Sequence, residues 1–208
     1  MSASAPAEPS ERGARERILA AAVERIAGDG IDDMRIARVA MDAGVSTSLV
    51  HYHFETREAL LAEAIEYSFE IAGEVRLGEA DGAASDEDGV GGPEARLLAM
   101  IDQCLPYPGH LQRDWVLWVE LWLRTVRHPE LQPTAARLYE RMRDWFTEGI
   151  EACGYDGDAG RLADRAIAMS DGLGVRVLIG ELAIDYAREQ IWDFLASEIG
   201  LDRSLTSG

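Results

Sequence analysis

Apolar residues recur along this chain at three- and four-residue intervals, and no stretch shows the strict alternation of a half-buried strand. The pattern predicts an all-α fold of about nine helices. Ile18, Leu19, Ala22, Val23 and Ile26 form the stripe of a first helix, which Gly28 and Gly30 end. Ile36, Val39, Ala40 and Ala43 mark a second, short one. Gly44 follows where the chain must turn sharply, in a left-handed conformation that costs glycine little. Val45 is expected to point back into the core. Ser46 is expected to accept backbone N–H bonds and start a third helix, anchored by Val50 and Phe54. Arg57-Glu58-Ala59-Leu60-Leu61 opens a long helix near 56–76. Further helices are predicted near 94–105, 111–127, 130–153, 159–179 and 183–199. Gly154, Gly157 and Gly160 mark one break between them, and Gly180 another.

Within residues 36–54 the apolar positions form a back, which leaves Thr47, Ser48, Leu49, His51, Tyr52 and His53 for an outer face. A stiff apolar back with a front of short polar and aromatic groups is what reading base edges requires. The phrases Ala-Gly-Val-Ser at 43–46, Tyr-His-Phe at 52–54 and Arg-Glu-Ala-Leu-Leu at 57–61 resemble the DNA-binding domain of the TetR family of one-component bacterial repressors, over residues 17–61. Arg127-His128-Pro129-Glu130-Leu131, Tyr139-Glu140-Arg141, and Ser170-Asp171-Gly172-Leu173 followed by Phe194-Leu195-Ala196 resemble the BetI-type branch, typified by a choline-responsive repressor of betaine synthesis. The expected organisation is a disordered tail at 1–11, a three-helix helix-turn-helix DNA-binding domain at 12–61, and a helical effector-binding and dimerisation domain at 62–208. Composition places a flexible acidic linker at 78–93.

The resemblance assigns roles to particular residues. Thr47, Ser48 and Leu49, just after Ser46, sit at the start of the recognition helix and face the major groove; Leu49 is suited to a thymine methyl. His51 stands where the family usually has Tyr. Tyr52 and His53 touch phosphate or support the helix, and Arg57 meets the DNA backbone. Arg35 stands where the family commonly has a capping Ser or Thr, so the nearest substitute cap is Asp33, while Arg35 gains a route to phosphate. Glu55 and Asp42 are unfavourable charges near DNA. A metal site on His51 and His53 is not expected, because side chains two apart on a helix diverge.

The last two helices carry Leu162, Ala166, Met169, Leu173 and Val177, then Ile184, Ala187, Ile191 and Phe194, faces too apolar to leave in water. In the resembled family the two C-terminal helices pair with their copies, so these residues are expected at a homodimer interface; the alternative is that they complete the core of one chain. Gly172 and Gly174 would permit close helix approach. Trp115, Trp118 and Trp122 stripe one face of a helix, and Trp145, Tyr139 and Tyr107 are expected to approach it from neighbouring segments. Such a stripe serves either as core or as one wall of a ligand cavity. The resemblance places the cavity in this region, and with Glu120 and Asp171 nearby it would select a quaternary ammonium or polyamine by cation–π attraction. A neutral apolar effector is the competing expectation.

Composition changes the picture in one respect. The net charge is −18, but residues 12–60 hold seven Arg and eight acids, a balance of −1, whereas residues 61–208 hold thirteen Arg and twenty-eight acids. Exposed charges are screened within about 8–10 Å at physiological salt, so the acidic body does not forbid DNA binding by a nearly neutral head. An acidic interaction protein that has lost DNA binding is the alternative class. No Ser/His/Asp order, phosphate loop or metal-ligand spacing suggests an enzyme, and no cofactor is expected. With no long apolar run, no signal-like N-terminus, and Cys104 and Cys153 far apart, a reduced cytoplasmic protein is expected.

Overall fold

The computed structural model describes residues 9–30, 33–68 and 92–201. Most of the tail expected at 1–11 and of the linker expected at 78–93 lies outside the described residues. The helices are α1 (Pro9–Asp29), α2 (Ile36–Asp42), α3 (Thr47–His53), α4 (residues 57–68), α5 (Pro93–Gln103), α6 (His110–Arg127), α7 (Gln132–Ala152), α8 (Ala159–Leu178) and α9 (Ile184–Ile199). A 3-10 turn, Pro129–Leu131, precedes α7. Among the described residues there is no strand, and no helix is long and apolar enough to cross a membrane. The all-α reading holds.

The chain divides into two compact units. One comprises residues 1–70 and 117–134, the other 71–116 and 135–208. In the first, Ile18, Leu19, Ala22 and Ile26 of α1 are buried with Val39 and Ala40 of α2, Val50 of α3, Phe54, and Leu60, Leu61, Ala64 and Ile65 of α4. Each large apolar side chain withdrawn from water contributes roughly 1.5–3 kcal/mol, which the short helices could not supply by hydrogen bonding alone. Gly28 lies inside α1, and Gly30, with φ +79°, follows its end.

The second unit is built on α8 packed along α9, with α5 against α9. Its core takes Leu97, Met100 and Ile101 from α5, Phe146 and Ile150 from α7, Leu162, Ala163 and Ala166 from α8, and Ala187, Ile191, Trp192 and Leu195 from α9. Four residues of the expected dimer interface lie in this core, as the alternative reading had it. Leu162, Ala166, Ala187 and Ile191 are at most 2% exposed in the single chain, so a partner cannot reach them. They close the core of the single chain. Met169, Leu173, Val177, Ile184 and Phe194 are half-buried against that same core. The exposed small and apolar positions of α8 and its turn include Ala168, Gly172 and Ile179, set among the exposed Asp164, Arg165 and Arg176, and α9 adds Tyr186 beside Asp185 and Glu189.

The two glycines of α8 also part company. A Cβ on Gly172 would meet open space, whereas a Cβ on Gly174 would lie 2.2 Å from the Trp115 ring. The Trp115 indole therefore lies directly on the α8 backbone, a contact only glycine allows. Gly149 is similarly covered, but by the flexible end of Met100. We predict that Gly174→Ala destabilises the protein by about 1–3 kcal/mol in urea unfolding despite alanine's better helix propensity, because a rigid buried indole must move. Gly149→Ala should cost less; equal costs would show that the Trp115 contact is loose.

Candidate functional site

The turn between α2 and α3 is closed by backbone bonds. Gly44 has φ +66°, the Val45 N–H donates to the Ala40 carbonyl at 2.9 Å, and the Gly44 N–H donates to the Met41 carbonyl at 3.2 Å. This is a Schellman motif, in which the left-handed residue satisfies the last carbonyls of the helix it ends. Two residues on, the Ser46 hydroxyl accepts from the Leu49 N–H at 3.2 Å and caps α3. Val45, expected in the core, is half-buried. Thr56 caps α4 in the same way, its hydroxyl accepting from the Ala59 N–H at 3.0 Å.

With Val50 and Phe54 buried, α3 turns Thr47, Ser48, His51 and Tyr52 outward, Tyr52 with 71% of its surface exposed. Leu49 is half-buried. His53 is half-buried too, its ring edge-on to Tyr52 at 5.2 Å, and its Nε2 is enclosed without a hydrogen-bond partner. His53 thus braces the helix. Arg57 is half-buried, its Nε donating to the Met34 carbonyl at 3.3 Å. Arg35 is exposed at the N-cap of α2, where its side chain makes no capping bond, and shares a polar groove with Asp29, Asp33 and Arg38.

The structure accounts for Asp42. Arg25 of α1 reaches across to it through Nε at 2.5 Å and through a second guanidinium nitrogen at 3.1 Å, while its third nitrogen holds Asp29 at 3.0 Å. The Arg25 guanidinium holds the Asp42 carboxyl below its ordinary range, so this acid stays ionised and neutralised. Arg38 lies 3.7 Å from Asp29. Sequence reading missed this arrangement, since nothing in a spacing of seventeen residues announces it.

The expected effector residues are only partly brought together. Trp115 and Trp118 are buried; Trp118 and Trp122 stack at 6.2 Å. Trp115 belongs to the second unit, whereas Trp118, Trp122 and half-buried Glu120 belong to the first, so the indole stripe is divided between the units. Trp145 packs edge-on to Phe146, with its Nε1 enclosed and unpartnered. The Tyr107 hydroxyl donates to Asp102 at 3.3 Å, and Asp102 also receives the Arg188 guanidinium at 2.6 and 3.3 Å, a tie between the end of α5 and α9. Burial, then the Asp102 charge, push the Tyr107 phenol up to about 12. Cys104 and Cys153 are free thiols, and burial pushes Cys153 up to about 11, which leaves it protonated and unreactive.

Tyr139 and Asp171 do meet. The Tyr139 hydroxyl donates to Asp171 Oδ2 at 2.7 Å, across a groove of about 270 Å³ between α7 and α8 lined also by Glu140, Arg143, Asp164, Ile167 and Ala168. Burial pushes the Asp171 carboxyl up to about 6, against the opposing pull of the Tyr139 bond.

A capped reading helix with an outward polar face, carried on the same chain as a separate helical unit, defines a DNA-binding transcriptional regulator. Residues 18–64 match the model of the tetR family of bacterial regulatory proteins, and residues 93–200 match that of the C-terminal region of BetI-type transcriptional repressors. The chain belongs to the TetR family, with a C-terminal region of the BetI type. Both are families of regulators, not of enzymes. It is similar to the HTH-type transcriptional regulator BetI 1 of Chromohalobacter salexigens, 28% identical with 91% of this chain and 92% of that protein covered. BetI of Rhizobium meliloti is likewise 28% identical, over 78% and 77% of the two chains. Among solved structures, a putative transcriptional regulator from Saccharomonospora viridis in complex with choline is 29% identical with a TM-score of 0.74, covering 88% of this chain and 96% of that one.

Two expectations follow from these contacts. Arg25→Gln should weaken DNA binding several-fold by leaving Asp42 uncompensated on the head, and adding Asp42→Asn should restore it. Failure of the double variant to recover affinity would make Arg25 a purely structural tie. Second, a folded-state carboxyl raised to about 6 binds its proton more readily than in the unfolded chain, so its ionisation opposes folding above that pH. Asp171→Asn should therefore stabilise the unliganded protein above pH 6, by on the order of 1–2 kcal/mol, with the gain vanishing below about pH 4. Thermal melts across this range test it, and a pH-independent difference would contradict it.

Proposed function

We propose that this regulator acts in the cytoplasm as a homodimeric repressor that leaves a palindromic operator when a small cationic effector binds. The observation that carries the reading is the row Thr47, Ser48, His51 and Tyr52, exposed on a helix whose back is buried. In this reading the head, residues 12–61, presents Thr47, Ser48 and Leu49 to base edges. Ser46, His51, Tyr52, Arg35 and Arg57 serve the phosphates, and His53 supports them from within. Residues 62–208 form the effector-binding and dimerisation domain.

A helix of seven residues spans only a few base pairs, and two-fold symmetry places a second one about 34 Å away along the duplex. The proposed contact between copies uses the surfaces that α8 and α9 leave in water, around Gly172, Ile179 and Tyr186, rather than the buried residues first expected. A symmetric pair of heads fits an operator at one separation, so a modest effector-induced shift suffices for release. The cationic class of the effector is supported by the carboxylate–phenol pair in the second unit and by the choline bound to the similar Saccharomonospora viridis protein.

The test is fluorescence-anisotropy binding to a palindromic duplex selected from a random pool, at several salt concentrations. Affinity should fall steeply with salt. Arg35→Ala should weaken binding on all sequences alike and reduce the salt slope by about one, whereas Thr47→Ala should change base preference at one position of each half-site. Ile179→Asp should yield monomers by sedimentation and lose operator affinity. A monomeric variant that binds at full strength would refute the dimeric reading, and salt-independent binding would refute the phosphate contacts.

A further inference from the structure

Among the described residues, the Asp171 carboxylate has no counter-cation. The Tyr139 hydroxyl satisfies one of its lone pairs at 2.7 Å, but a phenol carries no charge. The cation of the groove, Arg143, is spent on Asp164 at 2.9 Å, and the remaining charged group, Glu140, is another acid. Among the described residues none supplies a positive charge to Asp171. Ionised groups withdrawn from water are ordinarily paired, because the desolvation of a lone charge costs several kcal/mol. A side chain left in this condition is relieved either by a proton or by a cation that arrives from outside.

We propose that the groove between α7 and α8 is the effector site of this chain, and that it takes an organic ammonium compound whose cationic head rests on Asp171 and Tyr139. This rests on the cationic-effector reading above and locates it. The lining suits such a head: a carboxylate for the charge, a tyrosine for the polarisable shell, and Ile167 and Ala168 for its methyl or methylene groups. It also moves the aromatic partner from the tryptophans to Tyr139. Trp115 is committed to Gly174, and Trp118 and Trp122 are committed to each other.

A proton and the ligand compete for one carboxylate, so binding is linked to pH. The titratable and charged groups facing Asp171 in the groove are Tyr139, Glu140 and Arg143 from α7 and Asp164 from α8. With Asp171 protonating near pH 6, ligand affinity should be about tenfold weaker at pH 5 than at pH 8.

Calorimetric titration of the full-length protein with choline and with its neutral isostere 3,3-dimethylbutan-1-ol tests this. Choline should bind the wild type at least tenfold more tightly than the isostere. Asp171→Asn should remove that preference and the pH dependence, and Tyr139→Phe should weaken choline a few-fold while keeping the pH dependence. Circular dichroism and thermal melts show that each variant is folded. If folded Asp171→Asn binds choline as the wild type does, this site is wrong while the cationic-effector reading stands. If the wild type binds the isostere but not choline, or binds neither, both fall.

Discussion

A helix of seven residues does not hold itself together in water, since nucleation is unfavourable and two turns return few hydrogen bonds. Both α2 and α3 are that short. The reading face of this protein therefore exists only because Val39, Ala40, Val50 and Phe54 are buried, with α1 packed on both short helices, and because the turn between the two helices is closed by its own backbone bonds. The Schellman bonds of Val45 and Gly44 use the last carbonyls of α2, and Ser46 takes a free N–H of α3. Any residue other than glycine at position 44 must adopt a strained φ, and the angle between the helices would loosen with it. The direction in which Thr47 and Ser48 point is thus set by backbone chemistry at Gly44, three and four residues upstream of them.

Electrostatics then decides what such a face can meet. A chain of net charge −18 is an improbable DNA ligand if charge is averaged, and a plausible one if charge is placed. The head is nearly neutral by count, and some of its acids are paired. Asp42 and Asp29, both exposed, are held by Arg25, which offsets two of the head's negative charges at the surface. Arg35 and Arg38 remain exposed on the outer side of α2. The acidic remainder lies elsewhere in sequence and weakens non-specific association, which favours discrimination between sites.

Much of this was legible in the sequence because helical periodicity and turn glycines are local signals. The caps at Ser46 and the break at Gly44 follow from residue type alone, and the family phrases fall on those positions. Periodicity could not reveal which partner an apolar face finds. Leu162, Ala166, Ala187 and Ile191 read as an interface, yet α8 and α9 bury them against each other and against α5, since an intramolecular partner satisfies the same pattern. The tryptophan stripe carries the same ambiguity, since indoles at helical spacing fill a core and line a cavity alike. Arg25 with Asp42, and Tyr139 with Asp171, are pairs seventeen and thirty-two residues apart, joined by tertiary packing alone.

An uncompensated carboxylate is a defect in a protein selected only for stability, and replacing it by an amide would remove the cost. Its retention makes sense where the cost is useful. A site whose unliganded form carries an unsatisfied charge gains more from a cation than a site already paired, because the ligand supplies both its own contacts and relief of the pre-existing penalty. An internal Arg beside Asp171 would stabilise the empty form and weaken the ligand equally, since the two cations would compete for one partner. The groove instead confines its Arg to Asp164 and leaves Asp171 with a neutral phenol, which orients the carboxylate without neutralising it. The result is a pocket poised between two states of charge, and a neutral molecule of the same shape has no means of shifting that balance.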